Sequence, residues 1–363
     1  MTKKRNSSIE LIRILSMFLI VIGHFGFITN WSVSHSSNLV LMSSIHSLWI
    51  GGKLGVDLFV LISGYFLIFS KFKKTSFFNV WYTSYFYAIL ILIFAIVMRI
   101  DPINIKNIVK TIFLSTSGYL NWFVTAYLVM YLLSPFINKL LLSLSKVQFK
   151  LLLMILVIYF SVFRTVFHNP SLGTTGNDAV WLIVVYCCGA YIRRFKSDLL
   201  KYTTKCICII LIVSLFLSVS SVFLIDQIQY YLSLFSNHNS YGMFVDGFSP
   251  LQLVSAVCIF LLFMRMKPFH SNIVNTISST TFAVYLIHAN TLIGGWIYND
   301  VVKGYQFENT PFVLLYGILT SVMIFVVCSV IDLFFKFIFG KANRKIVNII
   351  AGLRIWYFLD DES

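Results

Sequence analysis

The stretch SSIELIRILSMFLIVIGH, residues 7–24, predicts an apolar helix with an arginine near its start and a histidine eleven residues later. At about 100° and about 1.5 Å per residue, Arg13 and His24 share one face and lie roughly 16–17 Å apart along the axis. Across a bilayer core about 30 Å thick, Arg13 lies a turn inside one surface and His24 beyond the midplane. Ionisable side chains at such depths mark candidate functional sites. The pair predicts anion binding near one surface and proton chemistry deeper in the membrane.

Two simpler interpretations of this helix are open. A histidine in a membrane helix can be a hydrogen-bonded packing residue, and an arginine near a helix end can extend to lipid phosphates. Ser7 and Glu10 form an S-x-x-E pattern that predicts a capping box at the helix start. This gives Glu10 a structural role, and no chemistry is assigned to it.

The composition excludes a soluble globular domain. The chain is 58% hydrophobic and 11% charged, and it contains several apolar stretches long enough to cross a bilayer. We predict an all-α fold, a polytopic transmembrane helical bundle formed by one integral-membrane domain over residues 1–363. About ten spans are expected, near 9–29, 47–69, 77–98, 120–141, 149–167, 179–195, 203–225, 249–266, 275–298 and 311–339.

The distribution of basic residues predicts the orientation. With the N-terminus inside, 21 of the 28 Lys and Arg residues fall in inner segments and six in outer ones. This bias predicts that both termini are cytoplasmic, in a multi-pass protein of the cell (plasma or inner) membrane. The net charge of +15 therefore reflects topology, and no nucleic-acid partner is expected. The first apolar stretch lacks a small-residue cleavage site, so no cleavable signal peptide is expected.

Between the third and fourth spans, residues 105–112 alternate apolar and polar side chains at helical period, which predicts an amphipathic helix on the outer membrane surface. No internal repeat is visible along the chain. A transporter built from duplicated halves therefore has no support in the sequence.

The second span carries an acidic residue at a depth close to that predicted for His24. Asp57 there is suited to orient the imidazole of His24 and raise its basicity, as acids do beside catalytic histidines. A local alternative is an i,i+4 pair in which Lys53 and Asp57 neutralise each other. Gly51, Gly52, Gly55 and Gly64 make this helix thin, which favours close approach of a neighbour.

Hydrogen-bonding and aromatic side chains mark two further spans. The fourth span opens with Asn121 and Trp122 and continues with Tyr127 and Tyr131, although an aromatic belt at the membrane surface also explains Trp122. In the ninth span, Tyr285 and His288 lie three residues apart on one helix face. These residues are candidates for substrate binding in the outer half of the bundle.

Four ordered motifs carry a resemblance to a known family. These are the R-x10-H of Arg13 and His24, then GVDLFVLISGY, NWFVTAYLVMYLLSPFIN and TFAVYLIH. Over essentially its whole length the chain resembles the acyltransferase-3 family of integral-membrane acyltransferases. It looks most like the branch that O-acetylates sugars of capsule, exopolysaccharide or O-antigen.

The resemblance implies a transferase that moves acetyl from cytosolic acetyl-CoA to a hydroxyl of a surface polysaccharide or its lipid-linked precursor. It implies that Arg13 helps to bind CoA and that His24 is the base; no metal is expected. Many members carry arginines after the SGY motif, but this chain has Lys71, Lys73 and Lys74 there. Lysine meets a phosphate as a point charge and without a bidentate fork, so a basic cytosolic mouth would still attract CoA.

Other functions stay open on sequence grounds. Glycerolipid acyltransferases have a His-x4-Asp signature that none of the seven histidines matches. Lipid- and protein-modifying membrane O-acyltransferases also use a buried histidine, but the R-x10-H on the first helix favours the acyltransferase-3 family instead. A flippase or transporter of lipid-linked sugars would place polar residues along a path. Loss of acetyl-CoA hydrolysis on removal of His24 would separate the enzyme from the flippase.

Overall fold

The computed structural model describes residues 6–32, 35–100, 104–114, 121–168, 174–232 and 240–359, and the regular elements within these ranges are helices. We name the main ones α1 (Ser7–Ile28), α2 (His35–Ser47), α3 (Trp49–Leu67), α4 (Lys74–Val97), α5 (Ile105–Leu114), α6 (Trp122–Ser143), α7 (Lys146–Phe167, with a π-helical turn at Ile158–Phe163), α8 (Ala179–Arg194), α9 (Thr204–Leu232), α10 (Pro250–Met264), α11 (Asn272–His288) and α12 (Val313–Ala351).

Seven of the described helices are long and apolar enough to cross a membrane, which confirms a polytopic helical membrane protein. They are α1, the Asn38–Leu67 segment that joins α2 to α3, α4, α6, α7, α9 and α12. The other three predicted spans are the shorter helices α8, α10 and α11, of 16, 15 and 17 residues. Ten spans and two cytoplasmic termini stay predictions.

Several predicted boundaries were wrong. The span expected at 275–298 ends at His288, because the chain turns at Asn290, whose side chain accepts a hydrogen bond from the backbone N–H of Leu292. The last predicted span, 311–339, is a helix that continues to Ala351. The predicted amphipathic segment is a helix, Ile105–Leu114. The first residue of the predicted span 120–141 lies outside the described residues.

Helices α1, α3 and α8 form the tightly packed centre of the bundle. A Cβ atom on Gly23 would overlap the backbone nitrogen of Gly52, and one on Gly64 would overlap the carbonyl of Tyr186. Only hydrogen fits at these positions, so the helix axes approach closely, as small residues allow in membrane bundles. The predicted close approach of α3 to a neighbour is confirmed.

Helix α11 runs parallel to α1. Near the start of both helices, the Ser7 hydroxyl donates to Asn275 Oδ1 at 3.0 Å, and near their ends His24 lies against His288. The face of α11 that points away from α1 packs on α12, where the hydroxyls of Thr280 and Ser329 are 2.8 Å apart. Helix α11 therefore presents polar side chains to α1 near both of its ends.

The helix starts show how local sequence fixes two of these elements. Helix α1 is capped by Asn6, whose side chain accepts from the Ser8 N–H, so the capping box expected from Ser7 and Glu10 does not form. Helix α8 is capped by Asp178, which accepts from the Trp181 N–H at 3.0 Å. Burial acts to raise the pKa of Asp178, but hydrogen bonds from Trp181 and Thr175 outweigh it and hold the pKa below its usual range.

Candidate active site

The two histidines predicted separately from α1 and α11 are in direct contact. His24 Nδ1 lies 3.0 Å from His288 Nε2, and the ring centroids are 5.1 Å apart. His288 is fully buried, whereas His24 is only partly buried. His24 is therefore the more exposed member of the pair.

The hydrogen bonds around His288 assign the protons of the pair. His288 Nδ1 lies 2.5 Å from the carbonyl oxygen of Val284, and a carbonyl only accepts, so this nitrogen carries hydrogen. In a neutral ring Nε2 of His288 is then an acceptor, and His24 Nδ1 must donate to it. This leaves the lone pair of His24 on Nε2. The chain Val284–His288–His24 therefore presents an unprotonated ring nitrogen, which is what a general base requires.

Lys53 is a charged residue at the depth of His24. Gly52 packs against Gly23, so Lys53 follows directly at this level and lies within electrostatic range of the imidazole of His24. Its side chain is 7% exposed; Nζ donates to Asn177 Oδ1 at 2.9 Å and lies 3.2 Å from Asp246 Oδ1. These direct partners come from loops distant in sequence, so the local alternative, a direct ion pair of Lys53 with Asp57, does not form, although the two side chains lie within electrostatic range of each other.

Asp57 is not where the sequence placed it. Gly55 packs on Ser16, so Asp57, two residues further along α3, lies nearer the start of α1 than His24 does. Its Oδ1 accepts from Trp181 Nε1 at 2.9 Å, and its Oδ2 has no hydrogen-bond partner among the described residues. The expected contact with His24 is therefore wrong: helix α11 supplies the partner of His24, and helix α8 supplies the partner of Asp57.

Arg13 is held in place by an acidic residue to which the sequence assigned no chemistry. Glu10 lies 3.2 Å from Arg13 Nη1, and its carboxylate also accepts from the Ser278 hydroxyl of α11. The Arg13 side chain is 34% exposed and that of Glu10 8%. Glu10 thus fixes the orientation of the guanidinium and leaves part of it accessible.

A ladder of aromatic rings connects the histidine pair with the lysine loop between α3 and α4. The ring of Tyr285 is 6.3 Å from His288 and 5.6 Å from Phe123. Phe123 is 5.8 Å from Tyr127, and Tyr127 stacks at 6.4 Å on Tyr131.

The lower end of this ladder reaches the predicted anion-binding residues. Tyr131 Oη donates to the Lys73 carbonyl at 3.4 Å, and Tyr127 lies within electrostatic range of Arg13. Lys71 and Lys73 are exposed, and Lys74 Nζ donates to the Trp356 carbonyl at 3.5 Å. The structure therefore brings Arg13, the loop and Tyr127 to the same end of the bundle.

The remaining predicted residues lie at the opposite end of α6. Asn121 is 5% exposed, and its Oδ1 has no partner among the described residues. Trp122 packs edge-on against Phe123 at 5.8 Å. Asn121 and Trp122 thus lie one step beyond the ring that contacts Tyr285.

Sequence reasoning missed one further cation. Arg193, in the last turn of α8, donates to the Tyr65 hydroxyl at 3.0 Å, and its guanidinium carbon lies 4.8 Å from the Tyr65 ring centroid. The sequence signal was present, because Tyr65 ends the SGY motif and a pair of arginines ends the span. That pair was interpreted only as a marker of topology.

A partly buried histidine, hydrogen-bonded to a second histidine inside a helical bundle with a cationic end, is an arrangement suited to proton and group transfer within a membrane. A family model described as an acyltransferase domain, Acyl_transf_3, matches residues 6–332. The chain belongs to the acyltransferase-3 family and is a membrane acyltransferase. The comparisons with curated proteins and with solved structures gave no match.

Proposed function

We propose that this protein is an O-acetyltransferase that moves acetyl from cytosolic acetyl-CoA to a hydroxyl of a surface polysaccharide or its lipid-linked precursor, with His24 as general base. The observation that carries the proposal is the His24–His288–Val284 hydrogen-bond chain, because it leaves a lone pair on Nε2 of His24. Family membership supports acyl transfer. The acetyl donor and the sugar acceptor come from the motif resemblance.

The chemistry requires one proton carrier. Nε2 of His24 takes the proton of the acceptor hydroxyl as its oxygen attacks the thioester carbonyl, so a C–O bond forms. The tetrahedral intermediate collapses, the C–S bond breaks, and the thiolate of CoA takes the proton back from His24. While His24 carries the extra proton, Nδ1 keeps donating to His288, so the ring does not turn during the reaction.

Lys53 is proposed to stabilise the negative charge that develops on the carbonyl oxygen. It lies at the level of His24, and its position is fixed by Asn177 and Asp246. A fixed cation in a water-poor site lowers the energy of an oxyanion strongly, because it needs no reorganisation when the charge appears. Asp57 is assigned a positioning role, through its hydrogen bond to Trp181.

The acyl donor is proposed to enter from the end that carries Arg13. Arg13, Arg193 and the exposed Lys71 and Lys73 offer positive charge to the phosphates of CoA. The extended pantetheine arm would then lie along the aromatic ladder and reach His24, which is roughly 16–17 Å further along α1. In this proposal Tyr127 and Tyr285 contact the donor, although the sequence had suggested that they face the acceptor.

The acceptor is proposed to approach from the other end, where Asn121 and Trp122 lie. The buried amide oxygen of Asn121 is without a partner among the described residues and is suited to accept from a sugar hydroxyl. An indole face suits the apolar face of a sugar ring. His24 lies between the two entrances, so neither substrate has to cross the membrane.

The base is tested with substitutions of two histidines, the partly buried His24 and the buried His46. His24→Gln removes the base, while His46→Gln changes a histidine that lies 2.9 Å from Asp226 and outside the proposed site. In vesicles, release of CoA from acetyl-CoA should fall by about 10²–10⁴-fold in His24→Gln. His46→Gln should retain activity. A folded His24→Gln variant with at least half of the parent rate would refute the assignment.

The two-sided arrangement needs sealed vesicles. Acetyl-CoA supplied at the face that exposes Arg13 should acetylate a membrane-impermeant oligosaccharide enclosed at the other face. Transfer that occurs only when both substrates share the Arg13 face would contradict the two entrances, while the acyltransferase assignment would remain. The acceptor itself would be identified by loss of O-acetyl groups from surface polysaccharide in cells without this chain.

A further inference from the structure

A polar cleft lies on the side of the bundle away from Arg13, between α4, α11 and α12. Its volume is about 460 Å³, and it is lined by Asn79, Thr83, Phe86, Tyr87, Ser279, Phe282, Ala283, Asp332, Lys336, Gly340, Asn343 and Arg344. Ser279 lines this cleft, whereas its neighbour Ser278 faces Glu10 and α1. Helix α11 therefore separates the cleft from the proposed CoA entrance.

The charges in the cleft leave one positive charge in excess. Lys336 Nζ lies 2.6 Å from Asp332 Oδ2 and donates to the Ser279 carbonyl at 2.7 Å, so these two charges balance. The Tyr87 hydroxyl donates to the other oxygen of Asp332 at 2.7 Å. Arg344 bonds only the Gly340 carbonyl, through Nε, among the described residues. Its terminal nitrogens are available to an anion.

An apolar groove continues from this cleft. It has a volume of about 1040 Å³, is bounded by α4, α12 and the segment after α11, and shares Tyr87 with the cleft. Its lining residues Val97, Val330 and Phe334 are 72%, 60% and 58% exposed, so the groove opens sideways to the surroundings of the bundle. Along α4, cleft and groove extend from Asn79 to Val97, about 27 Å.

We infer that cleft and groove form one binding site for an anionic phospholipid, with the phosphodiester at Arg344 and an acyl chain in the groove. One excess positive charge matches the single negative charge of a phosphatidylglycerol phosphate, and the amides of Asn79 and Asn343 can donate to its oxygens. The distance of about 27 Å accommodates a phospholipid, which spans half of a bilayer about 40–45 Å thick. A soluble phosphate would leave the groove empty.

The site is tested with a phosphatidylglycerol that carries a photoreactive diazirine on its acyl chain. The full-length protein is reconstituted in phosphatidylcholine vesicles doped with this probe, and the labelled peptides are mapped by mass spectrometry. We expect adducts on groove residues such as Met323, Val327 and Ile331. Unlabelled phosphatidylglycerol should compete, and phosphatidylcholine should not.

Two variants of the same helix end separate a built site from general surface charge. Arg344→Gln should lower labelling about fivefold or more, the loss expected on removal of one charge-assisted contact. Lys341→Gln, which changes an exposed lysine outside the cleft lining, should stay within about twofold. Lys336 is left unchanged, because its removal would leave the buried Asp332 without its ion-pair partner.

Three results would overturn the inference. Equal labelling by phosphatidylglycerol and phosphatidylcholine probes would show that only ordinary surrounding lipid contacts the groove. Displacement of the probe by inorganic phosphate or CoA would show that the cleft binds a soluble phosphate. Arg344→Gln with unchanged labelling would exclude Arg344 as the residue that binds the headgroup.

Discussion

Replacement of His288 tests the central geometric claim about the site. In His288→Leu, a side chain of suitable size fills the space, but nothing accepts the hydrogen bond from Nδ1 of His24. A buried donor without a partner costs about 1–3 kcal/mol. The tautomer with hydrogen on Nδ1 is then disfavoured by about this amount, and at about 1.4 kcal/mol per factor of ten the fraction of His24 able to act as base, and turnover with it, falls about 5- to 150-fold. The ring can also avoid the cost by moving its hydrogen to Nε2, which removes the base.

His288→Gln is the matched control for this substitution. Its side-chain oxygen can accept from His24 Nδ1, so His24 keeps its lone pair on Nε2. We expect the activity of His288→Gln to lie within about fivefold of the parent. This limit corresponds to less than the about 1–3 kcal/mol that an unpaired buried donor costs. A merely structural role of His288 would not favour glutamine over leucine in this way.

The assay is the rate of CoA release from acetyl-CoA by purified protein in vesicles, measured over a range of donor concentrations. Because His288 lies behind His24 and away from the proposed phosphate-binding end, the loss should appear in kcat with KM for acetyl-CoA unchanged. His288→Leu that keeps more than half of the parent kcat would refute the hydrogen-bond chain. Equally low activity of folded His288→Leu and His288→Gln would also refute the hydrogen-bond chain.

Three further predictions follow from other contacts. Arg13→Gln should raise KM for acetyl-CoA more than it lowers kcat, and this increase in KM should be smaller at high salt. An unchanged KM would show that Arg13 does not bind the donor. Asp57→Leu should lower the free energy of unfolding by about 1–3 kcal/mol, because the Trp181 indole N–H loses its acceptor. Asp57→Asn keeps that hydrogen bond, so equal thermal unfolding midpoints of the Leu and Asn variants would contradict this prediction. Asp178→Ala should cost about 0.5–2 kcal/mol through loss of the α8 cap. The stability contributed by the ionised Asp178 is fully present above the unfolded pKa of about 3.9 and is lost as pH falls through the lower folded pKa. A difference in unfolding midpoint between parent and Asp178→Ala that stays constant down to about pH 2 would exclude this contribution.

The sequence alone determined the class of fold and the helices that carry the polar residues. Apolar length and loop charge identify membrane helices from local composition, because every spanning segment must bury its own backbone polar groups. Spacing within one helix placed Arg13 and His24 on one face of α1, and Tyr285 and His288 on one face of α11. The glycines of α3 predicted the close packing that Gly52 and Gly64 show.

Only the tertiary structure decided which of these residues meet. The relative depth of two helices depends on where their surfaces fit, and the contacts of Gly52 with Gly23 and of Gly55 with Ser16 place Lys53 at the depth of His24 and Asp57 nearer the start of α1. The partners of Lys53 lie in loops far along the chain, and the partner of Asp57 is on α8. Helical periodicity gives faces within a helix but contains no information on register between helices. The contact of His24 with His288, 264 residues apart, is therefore a property of the packed bundle.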